Sequence, residues 1–138
     1  MAYKHSDYNP DLMMGAQEII KHVPVAINAT ATATAAQVAS GYISSTSGAA
    51  TTITLPTGTL LGAEIGASQG TVLDLYVDNT AGSSTVTIAV AVDGVLSDAA
   101  TTTAASFGQL TVATGATGIG KFTLMFSSAT HYVFTRTA

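Results

Sequence analysis

The chain has 138 residues, 47% of them apolar and only 9% charged, with four strong bases, no cysteine and a formal net charge of −4. That length suits one domain with a self-sufficient core, and the absence of thiols excludes disulfides, thiolate zinc sites and nucleophilic cysteine chemistry. Lys4, Lys21, Lys121 and Arg136 are too few to neutralise a run of phosphates, so nucleic acid is excluded as a partner.

The charge that is missing, against roughly 25% in an average domain, is replaced by Thr, Ser, Ala and Gly. Such a neutral surface suits packing against neighbours and equally suits simple solubility of a β-rich chain. No apolar run approaches the roughly 20 residues that span a bilayer, and residues 1–10 lack the apolar segment of a secretory signal. A soluble, non-exported chain without membrane contact is the expectation.

Residues 1–24 differ from the rest, holding three of the four Met, two of the three His and half the strong bases. They read as an N-terminal arm, with residues 25–138 as the folded body. Tyr3, Tyr8, Leu12, Met13, Met14, Ile19 and Ile20 are scattered apolar anchors on a polar stretch, the pattern of a tail that orders on binding a neighbour, with a disordered terminus as the alternative. Within it, Leu12 to His22 has the spacing of a short helix bounded by Pro10 and Pro24.

Val25 to Thr34 alternates Ala and Thr and fits either an extended strand or a linker. Thr34 and Gln37 have capping-box spacing and Gly41 stands where a left-handed residue ends a helix, which predicts one or two turns over 35–40. After Pro56, Thr57 or Thr59 can cap a second helix with Leu61 and Ile65 on one face and Gly66 at its end.

The remaining runs alternate with period two, the mark of strands with one buried face. The expected core positions are Ile53 and Leu55; Leu73, Leu75 and Val77; Val86, Ile88, Val90 and Val92; Leu110 and Val112; Phe122, Leu124 and Phe126; Tyr132 and Phe134. Residues 78–83 and 127–130 supply turn chemistry for two hairpins, which predicts antiparallel pairing. The fold class expected is therefore all-β, an antiparallel β-sandwich or jelly roll with one or two short helices and an extended N-terminal arm.

Candidate chemistry is sparse. Residues 115–120 are glycine-rich but precede a strand where a nucleotide fingerprint must open a helix, so they read as a turn. Asp74 and Asp78 share the outward face of one strand with Tyr76, and Asp93 and Asp98 flank a short loop, patterns that suit solvated or interface acids better than a calcium site. His5, His22 and His131 have no metal-ligand spacing and no Ser lies in a nucleophile elbow. We expect no catalytic residues, no metal and no cofactor. The Asn28-Ala29-Thr30 sequon is short enough to arise by chance. With Phe122, Phe126, Tyr132 and Phe134 assigned to the core, Tyr42 and Tyr76 are the exposed aromatic contacts that remain.

Residues 34–63, TAAQVASGYISSTSGAATTITLPTGTLLGA, with 77–87, VDNTAGSSTVT, resemble small virion proteins of tailed bacteriophages, of the capsid decoration or head-fibre type. The resemblance spans about residues 34–136. It implies a β-sandwich or jelly-roll body on the capsid surface of the virion, the major capsid protein as partner, self-association as a homotrimer, and a terminus reaching across capsomers. A receptor- or glycan-binding fibre module is the alternative function.

Overall fold

A computed structural model describes residues 19–91 and 110–138. Its strands are β1 (Val25–Ala26), β2 (Ala31–Thr32), β3 (Tyr42–Ser44), β4 (Thr51–Leu55), β5 (Val72–Asp78), β6 (Val86–Val90), β7 (Thr111–Val112), β8 (Ile119–Ser128) and β9 (His131–Arg136), with helices α1 (Ala35–Ala39) and α2 (Gly58–Ile65). Residues 19–22 are not helical, which corrects the end of the helix expected from Leu12 to His22; the rest of that span lies outside the described residues. Pro24 and the strand that follows at Val25 hold the backbone there in an extended course.

The two helices form where local chemistry satisfies their ends. In α1 the amide of Gln37 donates to Thr34 Oγ1 at 3.2 Å and the amide of Thr34 donates to Gln37 Oε1 at 2.8 Å, a reciprocal cap. In α2 the amide of Leu60 donates to Thr57 Oγ1, and Gly66 closes the helix at φ 64°. The helices lie against each other, and α2 also meets the β8–β9 turn at Gly62, where any Cβ would run into the Ala129 carbonyl.

Among the described residues the strands form two open, mixed sheets, ordered β1-β3-β5-β8-β9 and β2-β4-β6-β7. From β1 to β6 the chain alternates between them, so β1, β3 and β5 pair in parallel in one sheet and β2, β4 and β6 pair in parallel in the other. Antiparallel pairing is confined to β5–β8, β6–β7 and β8–β9.

This corrects the expectation of antiparallel pairing throughout. Alternation fixes which side chains are buried, but it is the same for either strand direction. The hairpin expected at 127–130 is present, joining β8 to β9. The one expected at 78–83 is not: that segment carries the chain from β5 in one sheet to β6 in the other.

Asn79 shows why the turn residues there misled. Its side chain is fully buried, and Nδ2 donates to the carbonyls of Ser84 (2.9 Å), Val112 (3.2 Å) and Ala113 (2.9 Å). It is a pin between the crossing segment and β7 rather than a solvent-facing turn residue.

The buried faces of both sheets belong to one hydrophobic cluster that includes Ile43, Ile53, Leu55, Leu61, Leu75, Val77, Val86, Ile88 and Val112. Phe122 and Phe134 stack at 5.3 Å between centroids, and Phe126 packs on Tyr132 at 5.5 Å. Each such fully buried side chain contributes about 1.5–3 kcal/mol by leaving water. The Tyr132 hydroxyl satisfies itself by donating to the Pro56 carbonyl at 2.8 Å, and burial pushes its pKa upward. Of the expected core positions, Leu73 and Val90 are half-buried at the periphery, and Val92 lies outside the described residues.

Candidate interaction surface

With odd-numbered β5 residues turned to the core, the even-numbered ones build the outer face of the five-stranded sheet. Register extends this into cross-strand rows: Val72–Met125–Val133, Asp74–Thr123–Thr135, Tyr42–Tyr76–Lys121 and Ser44–Asp78–Ile119. Tyr42 and Tyr76, far apart in sequence but paired in register, are thus direct neighbours.

The acids on this face are engaged. Asp78 accepts from the Tyr42 hydroxyl at 2.7 Å and from the Thr80 hydroxyl and amide at 2.7 and 2.9 Å. The Tyr42 hydrogen bond, then those from Thr80, hold its carboxyl below the usual carboxylate range. The same bond, with burial and the carboxylate charge behind it, raises the Tyr42 phenol. Asp74 accepts from the Thr123 hydroxyl at 2.9 Å and faces Lys121 Nζ at 3.4 Å, while that ammonium lies 5.7 Å from the centre of the Tyr76 ring. An ionised, hydrogen-bonded Asp78 is a poor proton donor at neutral pH.

The end of the arm lies on this face. His22 Nδ1 donates to the Ser40 carbonyl at 3.0 Å, and its ring meets Tyr76 at 5.8 Å between centroids. Gly41, at φ 79°, makes room: a Cβ there would stand 2.6 Å from His22 Nδ1. Residues 20–24 and β5 thereby flank a groove of about 750 Å³ lined by Ile20, His22, Pro24, Tyr42, Val72 and Tyr76 among others.

Of the residues singled out from sequence, Ile20, Tyr42 and Tyr76 come together in this groove, and Asp74 lines it too. Ile19 is exposed beside it in the chain. Tyr3, Tyr8, Leu12, Met13 and Met14 lie outside the described residues, as do His5, Asp93 and Asp98. His131 opens β9 just after the β8–β9 turn, where its Nδ1 meets Thr130 Oγ1 at 2.9 Å. Among the described residues no three His, Asp or Glu side chains gather to hold a metal, and no helix is long and apolar enough to cross a membrane.

Sequence reasoning missed the apolar row. Val72, Met125 and Val133 are 52%, 47% and 42% exposed although each adjoins a core position. The signal was present: Leu124-Met125-Phe126 and Tyr132-Val133-Phe134 are unbroken apolar triplets, so one member of each must face outward on a strand. What this surface can do chemically is bind, by apolar contact and ring stacking, with its carboxylates already satisfied. The chain matches no protein-family model, no curated protein and no solved structure.

Proposed function

We propose that this chain is a structural virion protein that decorates and stabilises a bacteriophage capsid, acting through subunit packing and its N-terminal arm. In this reading the body is a β-sandwich, a geometry supported by the single hydrophobic cluster shared between its two sheets. The bodies pack as homotrimers on the capsid surface and the arm, residues 1–24, grips the major capsid protein. The mechanism is buried area, with no catalysis, cofactor, nucleic acid or membrane involved.

The observation that carries the reading is the course of residues 19–24. His22 fixes the root of the arm to Ser40 and Tyr76, while Ile19, Ile20 and Val23 stay 87%, 68% and 72% exposed. A terminus anchored at its root and carrying exposed apolar side chains adds contact area at high effective concentration without enlarging the body.

A glycan- or receptor-binding fibre module is the second reading, favoured by the adjacent Tyr42 and Tyr76 rings lining a groove that also holds Lys21 and Asp74. Deleting residues 1–18, which spares His22, tests the first reading: the body keeps its thermal midpoint and cosedimentation with capsids falls at least about tenfold. Undiminished capsid binding by the truncated chain would refute the arm's role, and groove-dependent binding on a glycan array, abolished by Tyr76→Ala, would favour the second reading.

A further inference from the structure

We infer that residues 19–24 are a releasable strap, latched by the His22 imidazole in a socket on the body, and that releasing it opens the Tyr42–Tyr76 groove and lengthens the arm. The inference rests on the reading of residues 1–24 as an arm and names the device that regulates its root.

Three observations carry it. First, the strap is held at one point. Residues 19–24 belong to no helix or strand, and among the described residues their only polar and ring contacts are those of His22. Its Nδ1 donates to the Ser40 carbonyl at 3.0 Å and its ring meets Tyr76 at 5.8 Å. Ile19, Ile20 and Val23 are exposed, so little buried area holds the segment down. A segment with one latch and no ladder opens at far lower cost than the sheets beneath it.

Second, the socket belongs to the body and is shaped for this ring. Gly41 stands at φ 79°, and a Cβ there would come within 2.6 Å of His22 Nδ1 and 2.7 Å of its Cε1. The walls are fixed without the strap: the Gly41 amide donates to the Val38 carbonyl at 3.0 Å, and the Tyr76 amide to the Gly41 carbonyl at 2.9 Å. The socket therefore persists when His22 leaves, and the latch recloses without refolding.

Third, the chain fixes where opening stops and what it uncovers. β1 pairs with β3 from Val25 onward, and the Ile27 amide donates to the Ser44 carbonyl at 2.9 Å, so the strap swings about Pro24 with both sheets intact. Ile20, His22 and Pro24 line the groove from the strap, and Tyr42, Val72 and Tyr76 line it from the sheet. With the strap gone, Tyr76 loses the ring packed on it. The same step frees residues 19–24, about 20 Å of extended chain, to the arm. A partner that draws out residues 19–22 and a ligand that needs the open Tyr76 face therefore promote each other by the same factor.

The test is native-state trypsin cleavage of the full-length protein between Lys21 and His22, with the bond after Lys121, inside β8, reporting on unfolding of the body. Cleavage follows the population of the open strap when opening and closing are fast. His22→Ala removes a hydrogen bond and a ring contact, so cleavage after Lys21 speeds up at least about tenfold while cleavage after Lys121 is unchanged. His22→Asn, which keeps a donor for the Ser40 carbonyl, is cut at a rate between those of the wild type and His22→Ala. Gly41→Ala, which fills the socket, opens the strap as far as His22→Ala does. Nitration of Tyr76 by tetranitromethane, read peptide by peptide, rises with cleavage in each variant, and the buried Tyr132 does not react.

Equal cleavage after Lys21 in the wild type and His22→Ala overturns the inference. So does faster cleavage with Tyr76 nitration unchanged, since the strap then covers nothing. Both assays use the free protein, so a failed latch leaves the capsid reading standing, and a chain that binds no capsid leaves the latch standing.

Discussion

Asn79→Asp is the substitution that most sharply probes how the two sheets are joined. Asn79 Nδ2 donates to three carbonyl oxygens, from Ser84, Val112 and Ala113, and the side chain is fully buried. Aspartate keeps the shape and removes both N–H donors, one of them shared between two carbonyls, so hydrogen bonding worth about 2–3 kcal/mol is lost. A buried carboxylate is then left facing acceptors, a further penalty of several kcal/mol that the group escapes in part by binding a proton. The expected loss at pH 7 is about 4–6 kcal/mol, a large share of the roughly 5–15 kcal/mol that stabilises a domain.

The sign of the pH dependence follows from the same geometry. Burial beside carbonyls raises the folded-state pKa of the new acid above its unfolded value of about 3.9. The deficit is smallest below that unfolded value, where the protonated acid restores one donor, and it grows as pH rises toward the folded-state value. Urea unfolding followed by circular dichroism at about pH 4 and pH 7 measures both quantities, with slopes compared to verify two-state behaviour. A loss below about 1 kcal/mol at pH 7, or one independent of pH, would refute the assignment of Asn79 as the pin between the crossing segment and β7.

Two further substitutions test local claims. Gly62→Ala places a methyl against the Ala129 carbonyl, so despite alanine's better helix propensity it destabilises by about 1–3 kcal/mol in urea titration; a gain in stability would show that α2 does not pack on the β8–β9 turn this closely. Tyr42→Phe removes the principal hydrogen bond that lowers the Asp78 pKa. In the wild type that depressed value contributes stability above the unfolded pKa, which is lost as pH falls through the folded one. The variant's Asp78 therefore titrates at higher pH by carboxylate NMR, and its stability is less sensitive to acid; an unmoved titration would contradict the Tyr42–Asp78 contact.

Much of the body was legible because its determinants are local. Thr34 with Gln37, and Thr57 with Gly66, are caps readable within one helical turn, and period-two alternation found Ile53, Leu55, Leu75, Val77, Phe122 and Tyr132 in the core. Strand direction was not legible, since Thr51–Leu55 buries the same side chains whether β6 runs with it or against it. Residues 78–83 carried genuine turn chemistry but used it to change sheets, a choice fixed by carbonyls more than thirty residues away at Val112 and Ala113.

The candidate surface was legible in its parts and not in its assembly. Tyr42 and Tyr76, set apart by assigning the other aromatics to the core, are half-buried on the outer face of the sheet, and their adjacency comes from parallel register between β3 and β5. His22 had no reason in sequence to seek Ser40, and the groove exists only because residues 20–24 fold back over β5. The Val72–Met125–Val133 row joins residues distant in sequence, although apolar triplets marked Met125 and Val133.

The proposal that this chain is a stoichiometric structural component of a virion is tested most directly by searching for phage particles in cultures that produce the chain and measuring its abundance in the purified particles by quantitative mass spectrometry. The account predicts this chain in a fixed ratio to the major capsid protein, within about an order of magnitude of equimolar, with its N-terminal arm cross-linked to that protein. Particles that are complete, stable and free of the chain would contradict it.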